Sequence, residues 1–177
     1  MGLNLGEVEY EVENFGRVLM SVTTCASCGF RHSDVFSLTV HDPTIMSLKI
    51  TSPDDLKARI VRSGTSTITV SELGVSIKPS MNSEGFISNI EGVLTRVKDV
   101  LQFVTRSLEG QKKRKANLVL RKLQRAREGK LRITVVLKDP FGNSAIVSKK
   151  AKRRRMSIRE LNRLKFGDHA IAQRKRS

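Results

Sequence analysis

The sequence predicts an α+β fold that is mainly β, in which a cysteine-bearing β-hairpin precedes a barrel or sandwich of short strands. Apolar and polar residues alternate with a period of two over many short segments, which is typical of strands with one solvated face. One long stretch near the middle changes to helical periodicity, and the alternation then resumes. The only two cysteines lie between two alternating segments. The helical stretch is therefore predicted to be an insertion between strands.

Three strands are predicted before residue 41. Over residues 3–16, glutamate occupies every second position from Glu7 to Glu13, which indicates a strand with one acidic, solvated face. Residues 17–24 and 34–40 predict two further strands. The cysteines therefore lie at the tip of a hairpin.

The motif Cys25-x-x-Cys28 is followed by Gly29 and suits a zinc knuckle. The turn aims both sulfurs at one ion, and glycine accepts the backbone angle that a side chain resists. A structural thiolate site needs four ligands, and the sequence has no second Cys-x-x-Cys. A redox pair of cysteines normally lies at the start of a helix, whereas a strand follows here. The alternatives to a zinc knuckle are a reduced thiol pair or an occasional disulfide. His32 and His41 match no metal-binding spacing.

The middle of the chain reads as a compact barrel or sandwich. After a turn at Asp42 and Pro43, residues 54–63 run into Gly64. Residues 66–70 and 74–78 then alternate as short strands, with a corner at residues 72–74. Regular short strands separated by turn residues favour this class of fold.

Residues 87–129 predict an antiparallel helical hairpin. A capping box at residues 88–91 opens the first helix, which extends to Gly110, and a connection over residues 110–113 leads to a second helix that ends at Gly129. An apolar stripe on each helix predicts packing against the barrel. The stripes contain Ile87, Ile90, Leu94, Val97, Leu101, Val104 and Leu108 in the first helix, and Ala116, Val119, Leu120, Leu123 and Ala126 in the second.

The sheet is predicted to resume over residues 131–138 and 145–147. The intervening sequence, Asp-Pro-Phe-Gly-Asn-Ser, forms a turn in which the Asp139 and Asn143 side chains are expected to bond the backbone. The basic block at residues 149–155 is expected to stay extended when free. A capping box at residues 157–160 predicts a short helix to about Lys165, and the last residues are expected to be disordered. These boundaries divide the chain into residues 1–41, 42–148 and a basic tail, 149–177.

The charge of the chain is strongly lopsided. The net charge is +16, with nine Lys and Arg against twelve Asp and Glu in residues 1–100, and 24 against five in residues 101–177. A basic half of this size attracts polyanions, meaning nucleic acid, a ribosomal surface or an acidic protein face, and the attraction weakens with salt. The candidate contact residues are Lys112, Lys113, Arg114, Lys115, Arg121, Lys122, Arg125, Arg153, Arg154 and Arg155.

The composition also constrains the compartment of the protein. No segment approaches the ~20 apolar residues of a membrane span, and no charged-then-apolar leader opens the chain. Two cysteines in one motif do not make a disulfide scaffold, so a reducing cytoplasm is the expected location.

Five segments in order resemble the ZPR-type zinc-finger family, over about residues 8–148. They are residues 10–16 (YEVENFG), 25–35 (CASCGFRHSDV), 55–74 with its Asp-Leu, Arg-Ser and Glu-Leu-Gly positions, 90–94 (IEGVL) and 137–144 (LKDPFGNS). The resemblance implies a zinc ribbon followed by a double-stranded β-helix domain with the helical hairpin inserted. It implies that Cys25 and Cys28 bind zinc, that the protein is not an enzyme, and that its partner is translation elongation factor one-alpha, whose folding it assists.

One family feature is missing from the sequence. The first Cys-x-x-Cys of the family should lie just upstream of the Glu-Tyr-Glu-Val strand, and the chain begins at Met1 without it. Three explanations for its absence are open. The first codon was assigned too far downstream, the zinc site has been lost, or two copies of the chain share one ion, to which each contributes one cysteine pair. Two thiolates alone are expected to hold zinc weakly, because affinity comes from the complete ligand set.

Three functional hypotheses follow from the sequence. The leading one is a non-catalytic module that binds a translation GTPase through an exposed face of the barrel and the basic second helix. The second is sequence-blind RNA or ribosome binding, since no aromatic residue interleaves the basic runs to stack on bases. The third is an enzyme with a metal held in the barrel, which the scattered histidines do not favour. The oligomeric state is not predicted.

Overall fold

In the computed structural model of the protein, which describes residues 2–12, 16–38, 41–80 and 83–164, the chain forms eleven strands and three α-helices. Two short 3-10 helices, Pro53–Lys57 and Ser71–Leu73, lie between strands. The strands are β1 (Leu3–Val12), β2 (Gly16–Cys25), β3 (Arg31–Ser37), β4 (Thr44–Ile50), β5 (Arg59–Arg62), β6 (Thr67–Val70), β7 (Val75–Ile77), β8 (Phe86–Asn89), β9 (Ile133–Asp139), β10 (Ala145–Val147) and β11 (Lys152–Arg155). The helices are α1 (Ile90–Thr105), α2 (Gly110–Arg127) and α3 (Ile158–Arg163).

The strands form three antiparallel sheets. The first is the meander β1-β2-β3, the second has the order β10-β5-β8, and the third has the order β11-β4-β9-β6-β7. The mainly β, α+β class predicted from the alternation is therefore confirmed. Among the described residues, no helix has both the length and the apolar character that a membrane span requires.

The core lies among the strands and helices that follow the first sheet. On β9, Ile133, Val135 and Leu137 are buried, while the residues between them are partly exposed, as expected for a strand with one face on the core. Full burial of one such side chain stabilises the fold by about 1.5–3 kcal/mol. Leu94 of α1 and Leu123 of α2 are buried in the same cluster, so the central part of each predicted apolar stripe packs on the core. The stripe of the first helix is wrong at its ends, because Ile87 lies in β8 and Val104 is exposed.

The first sheet is attached to this core. Val12, Val18 and Val35 are buried in the same apolar cluster as the rest of the core. At the contact, β3 lies against the backbone that leads into β8, and a Cβ on Gly85 would lie 2.6 Å from the Val35 nitrogen. Only glycine allows this close approach without movement of the backbone.

Strand β4 was not predicted from the sequence, although it is an inner strand of the third sheet. Its apolar residues do not alternate strictly, because both Ile45 and Met46 are buried. A strand covered on both faces loses the period of two that identified the others.

The helical hairpin is confirmed in position and corrected in detail. Asn89, not Ser88, caps α1, and its side chain accepts a hydrogen bond from the Gly92 N–H at 2.7 Å. The connection covers residues 106–109 rather than 110–113. The helix ends early because the amides of residues 106–108 each bond the carbonyl three positions back, which tightens the last turn.

The basic block after residue 148 is not a free segment. Strand β11 pairs antiparallel with β4, with Lys152 opposite Ser47 and Arg155 opposite Thr44. Ladder pairing uses backbone groups that every residue except proline has, so four exposed cationic side chains do not prevent it. The predicted boundary after residue 148 therefore cuts through the sheet. The predicted capping box of α3 is present, between Ser157 and Glu160. The disorder predicted for the last residues of the chain lies outside the described residues.

Candidate functional site

The two cysteines lie at the tip of the β2–β3 hairpin, as predicted. Cys25 is the last residue of β2, and Cys28 lies in the turn that follows. The Cys25 N–H donates to the Phe30 carbonyl at 2.8 Å, and the Gly29 N–H donates to the Cys25 carbonyl at 3.0 Å. Gly29 has a φ of 70°, which a residue with a Cβ rarely adopts. Two backbone hydrogen bonds thus close the turn that contains both cysteines.

The two thiols are neighbours and are not joined by a disulfide bond. Hydrogen bonds from the backbone of Cys28, from its side chain and from the backbone of Ser27 lower the pKa of the Cys25 thiol. Cys25 is half-buried, and Cys28 is exposed. A metal could therefore reach both sulfurs from solvent.

The described residues supply two of the four ligands that a structural zinc ion requires. Among them, no group of three or more His, Cys, Asp or Glu side chains is placed to hold a metal. His32 lies on the same hairpin, but its Nδ1 is 3.5 Å from Glu84 Oε1. Its ring is stacked on that of Phe30, with the centroids 6.4 Å apart. A complete zinc site does not fit this set of donors.

His41 lies apart from the hairpin tip, between the first sheet and β4. Burial lowers the pKa of His41, the charge of Arg153 lowers it further, and Asp139 opposes both effects. Its charged neighbours thus lie in β9 and β11 rather than in the cysteine hairpin.

The geometry of the hairpin places the start of β1 beside the knuckle. In the β1–β2 register, Leu3 is opposite Cys25 and Val12 is opposite Gly16. Chain that directly precedes Leu3 would therefore run past the cysteines. The resemblance to the family implies that its first cysteine pair lies at this position.

The basic candidate residues form two separate groups. On α2, Lys112, Lys113, Arg114, Lys115, Arg121 and Arg125 are exposed, and Lys122 is half-buried with its Nζ donating to the Glu72 carbonyl at 3.2 Å. On β11, Arg153, Arg154 and Arg155 are all exposed. Helix α2 contacts the short helix that joins β6 and β7, whereas β11 is the opposite edge of the five-stranded sheet. Neighbouring strands are roughly 4.8 Å apart, so the two edges of the five-stranded sheet are about 19 Å apart.

The two groups also differ in how their charge is compensated. Arg154 donates to both carboxylate oxygens of Glu160, at 2.8 and 2.5 Å, and this pair holds the pKa of Glu160 well below its usual range. Arg155 Nη2 lies 2.9 Å from Asp42 Oδ1. Among the described residues, no ion pair includes the four cations at positions 112–115. The start of α2 is therefore the stronger cationic surface.

A buried polar cluster around Asp139 was only partly predicted. Its Oδ1 accepts from the Phe141 N–H at 2.9 Å, so the expected bond to the backbone is present. The sequence did not reveal that Ser63 and Ser144 both donate to Asp139 Oδ2, at 2.8 and 2.5 Å. All three residues are buried. Because both hydroxyls are committed as donors to one carboxylate, the cluster ties β5 to the turn after β9.

The fold and the hairpin define a class of protein: a jelly-roll domain that carries a helical hairpin between two strands and a cysteine-bearing β-hairpin in front. Comparison with known proteins agrees with this class, since residues 54–171 match the model of the ZPR1 jelly-roll domain. The chain belongs to the ZPR1 family.

Relatives occur in archaea and eukaryotes. A ZPR1-like protein of Methanocaldococcus jannaschii is 42% identical over 90% of this chain and 81% of its own length. A ZPR1-like protein of Pyrococcus horikoshii is 37% identical over 93% of this chain and 75% of its own length. The zinc finger chaperone zpr1 of Schizosaccharomyces pombe is 29% identical over 76% of this chain and 30% of its own length. The family predicted from the five sequence segments is thereby confirmed.

Proposed function

We propose that this protein is a non-catalytic binding module that engages a translation GTPase of the elongation factor one-alpha type and assists its folding. The observation that carries the proposal is the cluster of four exposed cations at the start of α2, which have no ion-pair partner among the described residues. An unpaired cluster of this kind accelerates association with an acidic protein face and makes binding sensitive to salt. The name of the fission-yeast relative, a zinc finger chaperone, supports the same function.

A pull-down with the full chain tests this proposal. The bait is compared with a variant in which Lys112, Lys113, Arg114 and Lys115 are all changed to Gln, at low and moderate salt. A matched control removes four exposed charges elsewhere, at Lys49, Arg132, Lys149 and Arg159. We expect the wild type and the control to recover the factor at low salt, and the α2 variant to recover at least about tenfold less. Failure of the wild type to recover the factor at either salt concentration contradicts the proposal.

Sequence-blind binding of RNA or of the ribosome is the second candidate. The basic α2 favours it, but Arg154 and Arg155 each bond a carboxylate of the chain itself, which leaves less free charge on β11 for phosphates. Removal of the chain after Val147 is not a suitable test, because it would also remove β11 from its pairing with β4. Titration of a polyuridine oligonucleotide into the wild type and an Arg153→Gln variant is the better measurement. Binding at low salt that weakens steeply as salt is added, and that is weaker in the Arg153→Gln variant, would favour RNA as the partner.

For the cysteines, we propose that Cys25 and Cys28 are one half of a tetrathiolate zinc site. The closed turn and the two neighbouring thiols support this assignment. When bound, zinc would stiffen the tip of the β2–β3 hairpin and would not take part in a reaction. A second pair of thiolates, from chain beside Leu3 or from a second copy, would complete the site.

A further inference from the structure

A cleft of about 660 Å³ lies where the first sheet meets the jelly roll and α1. Its size is within the usual range of ligand pockets, about 300–1,000 Å³. The lining comes from β3, β5, β7, the segment leading into β8, and α1. None of the candidate metal or basic contact residues belongs to it. The cleft is thus separate from the sites described above.

Arg62 lines the cleft with a buried cationic group that is not fully satisfied. The residue is only 4% exposed. Its Nη1 donates to the Glu84 carbonyl at 2.8 Å and its Nη2 to the Ser66 carbonyl at 3.3 Å. Its Nε is buried and has no hydrogen-bond partner among the described residues. A buried guanidinium whose hydrogen bonds go only to neutral carbonyls is costly, because burial removes the hydration of its charge.

A second arginine faces the same space. Arg96 of α1 is exposed and lines the cleft, with its guanidinium 4.4 Å from the centroid of the Phe86 ring. The guanidinium of Arg62 lies 5.6 Å from the same centroid. Burial lowers the pKa of Arg62; the nearby Asp34 carboxylate raises it, and the charge of Arg96 lowers it further. The two arginines therefore repel each other, and an anion between them would relieve that repulsion.

Two carboxylates near the cleft are already engaged by other groups. Asp34 Oδ1 accepts from the Gly85 N–H at 3.1 Å and from the Val35 N–H at 2.8 Å. Glu84 lines the cleft, but its Oε2 accepts from Ser33 Oγ at 3.2 Å and its Oε1 lies near His32. Among the described residues, neither arginine forms an ion pair. Neither guanidinium charge is thus neutralised by an ion pair, and the exposed Arg96 can form a charge-assisted hydrogen bond with the carboxylate of a ligand.

The rest of the wall is apolar and continues beyond the cleft along α1. Val97 and Leu101 line the cleft, together with Val100, which is 62% exposed. One turn further along α1, Phe103 is 72% exposed and Val104 is also exposed. An apolar strip that extends past the cleft suits an elongated ligand better than a small molecule that would be enclosed.

We propose that this cleft binds a peptide segment of a partner protein in which an acidic side chain neighbours aliphatic or aromatic side chains. The carboxylate lies between Arg62 and Arg96, and the apolar side chains lie on Val97, Val100 and Leu101. Charge complementarity selects the acidic group, and the strip along α1 selects a polypeptide. The proposal rests on the proposed protein-binding function, but it does not depend on which protein is the partner.

The test uses the full chain and a fluorescent peptide with alternating Asp and Leu residues. Two matched peptides replace every Asp by Asn or every Leu by Ser. The protein variants are Arg96→Gln and Val100→Gln, both at exposed positions, so the fold should be retained. Their controls make the same chemical changes on α3, as Arg159→Gln and Ile158→Gln, also at exposed positions. Amide chemical shifts of Gly85 and Phe86 report whether the peptide binds at the cleft.

We expect the Asp-Leu peptide to bind the wild type and both controls equally, and to shift the Gly85 and Phe86 resonances. Arg96→Gln should weaken binding by about tenfold, which is the usual effect of losing one charge-assisted hydrogen bond. The Asn and Ser peptides should bind correspondingly less tightly. Equal binding by Arg96→Gln and Arg159→Gln, or no binding by the wild type, overturns the proposal. Octanoate binding as tightly as the peptide also overturns it, in favour of a site for small carboxylic acids.

This outcome is separable from that of the proposed function. The variant with four glutamines on α2 should still bind the peptide while it loses the translation factor. If the wild-type protein recovers the factor but does not bind the peptide, only the cleft proposal is contradicted.

Discussion

The Gly85 backbone N–H donates to Asp34 Oδ1 at 3.1 Å, across 51 residues of sequence. This bond joins the cysteine-bearing sheet to the jelly roll, at a point where β3 and the backbone before β8 are in close contact. Asp34 also accepts from its neighbour Val35, so one carboxylate oxygen fixes both sides of the joint. The orientation of the cysteine hairpin, and one wall of the cleft, depend on this contact.

We therefore expect Gly85→Ala to loosen the joint. The added Cβ would lie 2.6 Å from Asp34 Oδ1 and from the Val35 nitrogen, and relief of such overpacking typically costs about 1–3 kcal/mol. Urea unfolding should show this loss, and trypsin should cleave the first sheet faster. Gly6→Ala is the control, because its Cβ would have no atom nearer than 3.9 Å. Equal stability of the two variants would contradict the assigned contact.

The buried cluster makes Asp139→Ala strongly destabilising. The change removes the carboxylate that accepts from the buried Ser63 and Ser144 hydroxyls, and a buried hydroxyl that loses its acceptor costs about 1–3 kcal/mol. We expect the free energy of unfolding to fall by at least about 2 kcal/mol in urea denaturation. Asp99→Ala, on the exposed side of α1, should change it by no more than about 0.5 kcal/mol. A loss below about 1 kcal/mol for Asp139→Ala would refute this role.

A pH dependence follows from the pair Lys150 and Asp55. Lys150 Nζ lies 2.6 Å from Asp55 Oδ1. The hydrogen bond from Lys150, followed by one from the Thr51 backbone, holds the pKa of the Asp55 carboxyl well below its usual range. Because the folded-state pKa is depressed, this stabilisation is complete above the unfolded-state pKa, about 3.9. It is lost as the pH falls from there toward the folded-state value.

We expect the melting temperature of the wild type to fall steeply below about pH 4. Lys150→Gln should be less stable than the wild type at neutral pH, and the difference between them should shrink as the pH is lowered. Lys149→Gln, at the exposed neighbouring position, is the control and should follow the wild type. A difference between Lys150→Gln and the wild type that stays constant from pH 7 to pH 2 would exclude the pair as its source.

The half-site assignment of the cysteines predicts weak zinc binding by the chain itself. Two thiolates lack the donors that give structural zinc its affinity, so we expect a colorimetric chelator to remove zinc rapidly. Cys25→Ser should abolish the binding that remains. Zinc that resists the chelator in a monomer would contradict a half-site, whereas resistant zinc at one ion per two chains would show that copies share it.

A gain-of-function experiment tests whether the start of β1 lies beside the cysteines. Because Leu3 is opposite Cys25, a short extension carrying Cys-x-x-Cys before Gly2 should complete the site and hold zinc against the chelator. The control extension carries Ser-x-x-Ser. Equal zinc retention by the two extended chains would argue against the register as the basis of the site.

The parts of the fold that depend on local spacing were predictable from the sequence. The cysteines could be placed at a hairpin tip because Cys25, Cys28 and Gly29 lie within five consecutive residues and alternating strands flank them. The helical hairpin could be predicted because its periodicity extends over about forty residues. The prediction of its ends was wrong, because Asn89 rather than Ser88 caps α1. Two adjacent polar residues are equally able to cap a helix, so the sequence did not distinguish between them.

The sequence by itself determined the family, the mainly β class, the cysteine hairpin and the concentration of positive charge. Only the tertiary structure decided which distant groups meet: Ser63 with Asp139, Asp55 with Lys150, and Arg62 with Arg96. It also decided that Lys152–Arg155 is a strand, since pairing with β4 depends on the backbone of a partner more than one hundred residues away. The physical reason is that local pattern reports side-chain periodicity, whereas these contacts depend on how the sheets pack, which no short segment encodes.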